Sequence, residues 1–161
     1  MAGGTDLLGI YLNDHLAGAI GGLELARRAA GANRSNDYGS FLSELAGEIE
    51  ADLHALEDVM DKLEIGRDHL KVLAAWTTEK VGRLKLNGRL LGYSPLSRVL
   101  ELEVLCLGVE GKLALWRALQ KLAEDDSRLG GIDLADLVGR ARSQRRRLET
   151  RRLKAARAAF E

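Results

Sequence analysis

The sequence predicts an all-α protein, an antiparallel up-and-down helical bundle of four core helices with a fifth, arginine-rich helix packed on it. Alanine, leucine, glutamate and arginine dominate the 161 residues, which favours helix over sheet. Apolar residues recur at helical spacing in five segments, and the connections are short enough for neighbouring helices to run antiparallel. With 46% hydrophobic residues, we expect a single domain over residues 1–161.

The first three predicted helices run to about residues 30, 64 and 86. Each begins after a side chain that can accept hydrogen bonds from the first free backbone N–H groups, and each ends at glycine or at an Asn-Gly pair. The caps and stops, in chain order, are Thr5 or Asp6, Gly31, Ser35 to Asp37, Gly66, Asp68 and Asn87-Gly88.

The fourth predicted helix has a strong start signal, because Ser94 is a capping residue and Pro95 suits the first helical position. It runs to about Ala123 and is apolar nearly all round, which predicts a central place in the bundle. Its charged exceptions are spaced seven residues apart: Glu103, Glu110 and Arg117.

The fifth predicted helix opens at Asp133 and carries Arg145 and Arg152 inside its apolar arc. In an antiparallel hairpin with its turn near residue 128, these arginines are level with the glutamates of the preceding helix. We therefore predict two interhelix ion pairs, Glu110–Arg145 and Glu103–Arg152. The remaining arginines of this helix are expected to form a solvated face, and they include Arg140, Arg146, Arg147 and Arg151.

An inner polar layer is predicted from the stretch E-I-E-A-D-L-H-A-L at residues 48–56. At 100° per residue, Glu48 and Asp52 point inward, whereas Glu50 and His54 point to solvent. Counting outward from each turn brings inward polar residues of the other helices to the same depth. The predicted layer consists of His15, Glu48, Asp52, Lys80 and a glutamate of the fourth helix, Glu101 or Glu103.

A helical bundle with inward carboxylates and a histidine resembles the ferritin-like superfamily over roughly residues 5–125. Di-metal members of that superfamily carry a glutamate on each of two helices and Glu-x-x-His on each of the other two. This chain has no Glu-x-x-His, since Ala51 follows Glu48 by three positions and Cys106 follows Glu103. The resemblance is to uncharacterised bacterial members that lack the di-metal motif, and it implies a fold rather than an activity.

Three functions are compatible with these features. The favoured one is a non-enzymatic scaffold or protein-interaction module, with a homodimer as one option, in which Lys80 compensates Glu48 and Asp52 and no metal or cofactor is expected. The first alternative is a redox protein that binds iron or manganese through His15, Glu48, Asp52 and Glu101 or Glu103. The second alternative is binding of an acidic partner or nucleic acid through the basic fifth helix.

Charge and composition narrow these options. The net charge is zero, but residues 35–65 hold nine acids and one base, and residues 131–161 hold nine bases and four acids. The zero total argues against nucleic acid as the default partner.

Cys106 is the only cysteine, so no intrachain disulfide forms, and we expect a cytoplasmic protein. Residues 96–119 carry six charged side chains, too many for a membrane span.

Overall fold

The computed structural model describes residues 2–68 and 92–161, with side chains from residue 7 onward. These residues are all-helical and contain no strand. The helices are α1 (Ala2–Ala32), α2 (Asp37–Lys62), α3 (Pro95–Leu122) and α4 (Leu134–Phe160), with a short 3-10 helix at Ser127–Leu129. The arginine-rich helix is therefore the fourth one described. The third predicted helix, from Asp68 to about Leu86, lies outside the described residues except for its first position, and so does Lys80.

The predicted starts of α2, α3 and α4 are confirmed at their caps, whereas the predicted start of α1 is wrong, because this helix begins at Ala2 and includes Thr5 and Asp6. Asn36 accepts a hydrogen bond from the backbone N–H of Tyr38 at 3.0 Å and opens α2. Ser94 and Ser97 form reciprocal side-chain to backbone hydrogen bonds at the start of α3, just before and after Pro95. Asp133 caps α4 by accepting a hydrogen bond from the backbone N–H of Asp136 at 2.9 Å. Each cap satisfies N–H groups that have no partner inside the helix.

The turn between α1 and α2 is closed around Gly39. A Cβ atom at this position would overlap the carbonyl oxygen of Asn33, and it would lie 2.8 Å from the carbonyl carbon of that residue. Only glycine allows the first turn of α2 to approach the end of α1 so closely. The close approach fixes how the two helices leave the turn.

Helix α1 packs against α2 and α3, and α3 packs along α4. Two apolar clusters fill the space between them, and each cluster draws residues from all four helices. Leu12, Met60, Trp116 and Leu137 belong to the first, and Ala26, Leu45, Leu102 and Leu148 belong to the second. Burial of each large apolar side chain contributes roughly 1.5–3 kcal/mol before the loss of conformational entropy is counted.

The expectation that the helix at residues 95–123 is central is wrong. Leu96 of α3 is 49% exposed and Leu107 is 69% exposed. The helix is apolar nearly all round because it has two apolar faces, one packed inward and one open to solvent. Periodicity cannot separate a buried face from an exposed one when both carry leucine.

None of the helices within residues 2–68 and 92–161 combines the length and the apolar composition that crossing a membrane requires.

Candidate functional site

A buried charged cluster joins α2, α3 and α4 around Asp52, which is 2% exposed. Lys112 Nζ donates to Asp52 Oδ2 at 2.6 Å, and Gln144 Nε2 donates to the same oxygen at 3.0 Å. Arg140 Nη2 donates to the other carboxylate oxygen, Oδ1. Lys112 Nζ also donates to Gln144 Oε1 at 2.5 Å. Both oxygens of the carboxylate are therefore held by donors from neighbouring helices.

The sequence places these polar groups inward because each sits among apolar neighbours of its own helix. Gln144, for example, lies three residues after Ala141 and four before Leu148, both of which are fully buried. Burial lowers the pKa of Lys112, and the adjacent Asp52 carboxylate opposes that shift. Two cations and an amide surround a single carboxylate, so the cluster ties three helices together and offers no unoccupied acid or base.

Outward from Asp52, α2 and α4 face each other along a seam of ion pairs. Arg147 reaches Glu44 at 3.2 Å and Glu48 at 2.6 Å. Nearer the start of α2, Asp37 accepts hydrogen bonds from Arg151 at 2.9 Å and from Lys154 at 3.0 Å. The bond from Lys154 is the main cause of a lowered Asp37 pKa. The acidic face of α2 thus runs antiparallel to one basic face of α4.

The prediction that Arg140, Arg147 and Arg151 form a solvated face is therefore wrong. They point toward α2, where carboxylates lie at matching heights. Sequence reasoning assigned partners only to the arginines facing the preceding helix, because the contact between α2 and α4 joins segments far apart in the chain. Arg146 does lie on the exposed side of α4.

The seam contains a shallow cleft of about 170 Å³, lined by Phe41, Arg147, Thr150 and Arg151. The Arg151 guanidinium lies 5.0 Å from the centre of the Phe41 ring, within the range of a cation–π contact. Cavities that enclose small organic ligands are typically about 300–1,000 Å³. The cleft is smaller, and its arginines are already paired with acids.

A second polar cluster lies where the end of α1 meets the start of α3. Asn33 is fully buried, and its Nδ2 donates to Ala29 O at 2.9 Å and to the Tyr93 hydroxyl at 2.5 Å. Arg98 Nε donates to Asn33 Oδ1 at 2.7 Å, and the Tyr93 hydroxyl donates to Glu101 Oε2 at 2.9 Å. A chain of hydrogen bonds therefore connects the turn after α1 with a buried carboxyl of α3.

Burial dominates the acid–base behaviour of this second cluster. It raises the pKa of Tyr93 to about 12, although the hydrogen bond from Asn33 opposes the shift. Burial also raises the pKa of the Glu101 carboxyl, against the hydrogen bond from Tyr93 and the nearby charges of Arg28 and Arg98.

The predicted inner layer does not assemble as one group. Asp52 points inward as predicted, but Glu48 lies half-buried in the seam, paired with Arg147. Glu101 is buried in the second cluster, next to Tyr93. The Glu103 side chain is 52% exposed. Counting residues from each turn gives depth along the bundle but does not say which neighbouring helix a side chain faces, so it merged groups that meet different partners.

His15 is the other correction to the layer. Its ring lies edge-on to Tyr11, with centroids 4.6 Å apart, and it makes no hydrogen bond to Glu48 or Asp52. Burial is the main cause of a lowered His15 pKa, which favours a neutral imidazole. The predicted place of Lys80 beside Asp52 lies outside the described residues and stays a prediction.

The alternative ligand set for iron or manganese, His15, Glu48, Asp52 and Glu103, also fails to come together. Within residues 7–68 and 92–161, no three His, Cys, Asp or Glu side chains are arranged as metal ligands. The oxygens of Asp52 and Glu48 are engaged by Lys112, Arg140 and Arg147 instead. This ligand set is therefore not a candidate metal centre.

Both predicted ion pairs between α3 and α4 are present in the structure. Arg145 Nε lies 2.8 Å from Glu110 Oε2, and Arg152 Nη1 lies 3.8 Å from Glu103 Oε2. Arg152 binds Glu149 of its own helix more closely, at 2.7 Å. The Glu110–Arg145 pair lies at the surface, since both side chains are more than half exposed. Such pairs contribute roughly 0–1 kcal/mol each, but they report the antiparallel register of the hairpin.

The sequence prediction missed Lys112, Gln144, Asn33 and Tyr93. A signal existed for the first two, because Lys112 lies three residues after Val109 and four before Trp116, and Gln144 has a similar apolar environment. For Asn33 and Tyr93 the sequence carried no comparable signal. They lie in or next to connections, where periodicity says nothing about burial.

The outer side of the α3–α4 hairpin carries two stripes of exposed or half-buried side chains, spaced by three, four or seven residues. Residues spaced in this way lie on one face of a helix. On α3 the stripe is Leu96, Leu100, Glu103, Leu107, Glu110 and Ala114. On α4 it is Arg142, Arg146, Glu149, Leu153 and Phe160. We call the groove between these stripes the outer groove.

The ion pairs Glu103–Arg152 and Glu110–Arg145 bridge α3 and α4 between the two stripes. The register they define places Leu96 level with Ala159 and Leu107 level with Leu148. Leu153 is 53% exposed and Phe160 is 71% exposed, so they line the same end of the groove as Leu96, whereas Leu107 lies near the middle.

Comparison of the chain with family models, with curated proteins and with solved structures gave no match to any of them.

Proposed function

We propose that the protein is a non-enzymatic helical scaffold or protein-interaction module that binds its partner in the outer groove. The observation that carries the proposal is the placement of exposed apolar side chains. Seven large apolar residues are exposed within the described ranges, and four of them lie along this groove: Leu96, Leu107, Leu153 and Phe160. A concentration of this kind on one face is typical of a protein-binding surface.

The internal chemistry supports a structural role for the polar residues. The carboxylates of Asp52 and Glu48 are bound by cations from other helices, and Asn33 and Glu101 are hydrogen-bonded. Catalytic sites keep at least one nucleophile, acid or base directed at a cavity large enough for substrate. The half-buried Cys106 thiol does not meet this description, because burial raises its pKa to about 11.

The ferritin-like fold and the cytoplasmic location remain part of the proposal. The helical packing and the absence of Glu-x-x-His from the whole chain fit a metal-free relative of that superfamily, and the lone Cys106 fits a reducing compartment. Neither is needed for the interaction role, which depends on the outer groove alone.

The experiment that tests the proposal is affinity capture from the source cells with three baits. The wild-type chain is compared with a groove variant, Leu107→Ser plus Leu153→Ser, and with a control variant, Leu7→Ser plus Ile10→Ser. The control residues are equally exposed but lie on α1. We expect a partner that is retained by the wild type and the control and lost by the groove variant.

Circular dichroism and urea unfolding of the three baits check that the substitutions leave the fold intact, as surface substitutions usually do. Equal capture by all three baits would show that binding does not use the outer groove, and the proposal would then be wrong.

A further inference from the structure

We infer that the outer groove takes an acidic amphipathic helix from a partner protein. This inference rests on the proposed function, and it adds the chemistry and the shape of the partner. It draws on two independent observations, the spacing of the two stripes and the sign of the charges that they leave without an ion pair.

The spacing argues for a helix as the occupant. Steps of three and four residues run along the whole α3 stripe and along α4 from Arg142 to Leu153, and Phe160 follows two turns later on the same face. This is the pattern by which helices pack side chains into each other's gaps. Two antiparallel helices that present such stripes to one groove leave room for a third helix lying along it. From Leu96 to Ala114 the groove extends for roughly 27 Å at 1.5 Å per residue, the length of a helix of about 18 residues.

The charges argue for an acidic occupant. Within the part of the chain that the structure describes, every glutamate on the stripes is paired, namely Glu103, Glu110 and Glu149. Arg142 and Arg146 lie on the α4 stripe, are exposed, and take part in no ion pair with a described residue. Exposed Arg117 of α3 adds a third positive charge at the same end.

The groove is therefore apolar at one end, around Leu96 and Phe160, and positively charged at the other. A matching helix carries leucine-type residues along one face and carboxylates beside them, including carboxylates at the end that meets Arg142 and Arg146. A second copy of this chain fits less well, because pairing two such grooves buries the unpaired arginines of both copies in one interface, where they repel each other. Nucleic acid also fits less well, because Leu107 and Leu153 offer no stacking plane and Phe160 is the single aromatic residue of the groove.

The test uses a synthetic acidic amphipathic peptide of about 20 residues, with leucine at the two apolar positions of each heptad and glutamate at the flanking positions. A second peptide keeps the leucines and replaces each glutamate by lysine. Fluorescence anisotropy measures binding of each labelled peptide to the full chain at low and high salt. We expect the acidic peptide to bind at least about tenfold more tightly than the basic one and to weaken as salt rises.

Variants locate the binding. We expect two double variants each to weaken binding of the acidic peptide by about tenfold or more. They are Leu107→Ser plus Leu153→Ser, and Arg142→Glu plus Arg146→Glu. The matched controls are Leu7→Ser plus Ile10→Ser and Arg34→Glu plus Lys62→Glu. They should leave binding unchanged, because these exposed residues lie on α1, in the turn that follows it, or at the end of α2.

The other outcomes overturn the inference in distinguishable ways. If neither peptide binds while groove-dependent capture from cells persists, the partner chemistry is wrong and the proposed function stands. If light scattering shows a groove-dependent rise in mass with concentration and no peptide binding, the occupant is a second copy. If a cysteine placed by Leu107→Cys in a Cys106→Ser chain reacts slowly with a thiol reagent, another part of the chain covers the groove, and both proposals are wrong.

Discussion

Asp52 of α2 and Lys112 of α3 form a buried ion pair in which Lys112 Nζ lies 2.6 Å from Asp52 Oδ2. The carboxylate is 2% exposed, and the lysine side chain is 13% exposed. A pair of this kind stabilises a fold mainly because breaking it leaves a charge without a partner, and it also specifies which helices lie together.

Removal of the Asp52 carboxylate should destabilise the fold more than removal of the Lys112 ammonium group. Asp52→Ala leaves Lys112 and Arg140 without their anion, and we expect a loss of roughly 3–5 kcal/mol in the free energy of unfolding. Lys112→Met should cost less, because Arg140 and Gln144 still hold Asp52. Urea denaturation measures both. Glu110→Ala is the control, with a loss of about 1 kcal/mol or less for an exposed pair. Equal losses for Asp52→Ala and Glu110→Ala would contradict the proposed role of the cluster.

Substitution by alanine should lower the stability of the protein at Gly39 of α2 and raise it at Gly47. Gly39→Ala drives a methyl group into the carbonyl of Asn33, and we expect a loss of roughly 1–3 kcal/mol from the strain. Gly47→Ala meets nothing within 4 Å, so it should stabilise the helix by about 0.5–1 kcal/mol. Thermal unfolding of the two variants side by side checks the prediction. A neutral Gly39→Ala would mean that the turn adjusts freely.

Glu101→Gln should raise stability at neutral pH. Because the folded-state pKa of Glu101 is raised, the folded chain holds its proton more tightly than the unfolded chain. The stability gained from that proton is fully present below the unfolded pKa and is lost as pH rises through the folded pKa. Glutamine is neutral throughout and can still accept the bond from Tyr93.

Urea denaturation between pH 4 and pH 8 should therefore show that the free energy of unfolding of Glu101→Gln increases relative to that of the wild type as pH rises. Glu103→Gln provides the matched control, because that side chain is largely exposed. A difference that stays constant across this range would show that ionisation of Glu101 does not couple to folding.

Cys106 should react slowly with thiol reagents at neutral pH. Burial raises its pKa to about 11, so the thiolate that attacks the reagent is scarce. The rate of alkylation by iodoacetamide should increase about tenfold per pH unit from pH 7 to 10. The alkylation rate of glutathione in the same buffers should level off at a lower pH, because its thiol has a lower pKa. A plateau for Cys106 near pH 8 would place the thiol in a different environment.

Ferrous or manganous ions should bind weakly and without specificity. The carboxylates of the alternative ligand set are engaged by lysine and arginine, and His15 packs on Tyr11 rather than beside them. After incubation with each ion and gel filtration, we expect less than one metal per chain and no change on His15→Ala. Stoichiometric binding that disappears in that variant would restore the metal-binding alternative.

The starts of α2, α3 and α4 and the two ion pairs between α3 and α4 could be predicted because they depend on neighbours in the chain. Caps such as Ser94 act within four residues, and Glu110–Arg145 spans a hairpin whose register follows from its turn. The seam could not be predicted in this way. Arg147 meets Glu48 across nearly a hundred residues, and only the relative placement of two separate hairpins decides that distance.

The stretch at residues 48–56 shows the same division. Periodicity alone placed Asp52 inward and His54 outward, because the side chains follow the helical repeat whatever surrounds them. The packing of the helices decided two other features. One is which cations pair with Asp52, and the other is whether the second apolar face of α3 is covered or exposed. Local backbone geometry is set by residues a few positions apart, whereas the pairing of buried charges is set by distances between helices that no local pattern encodes.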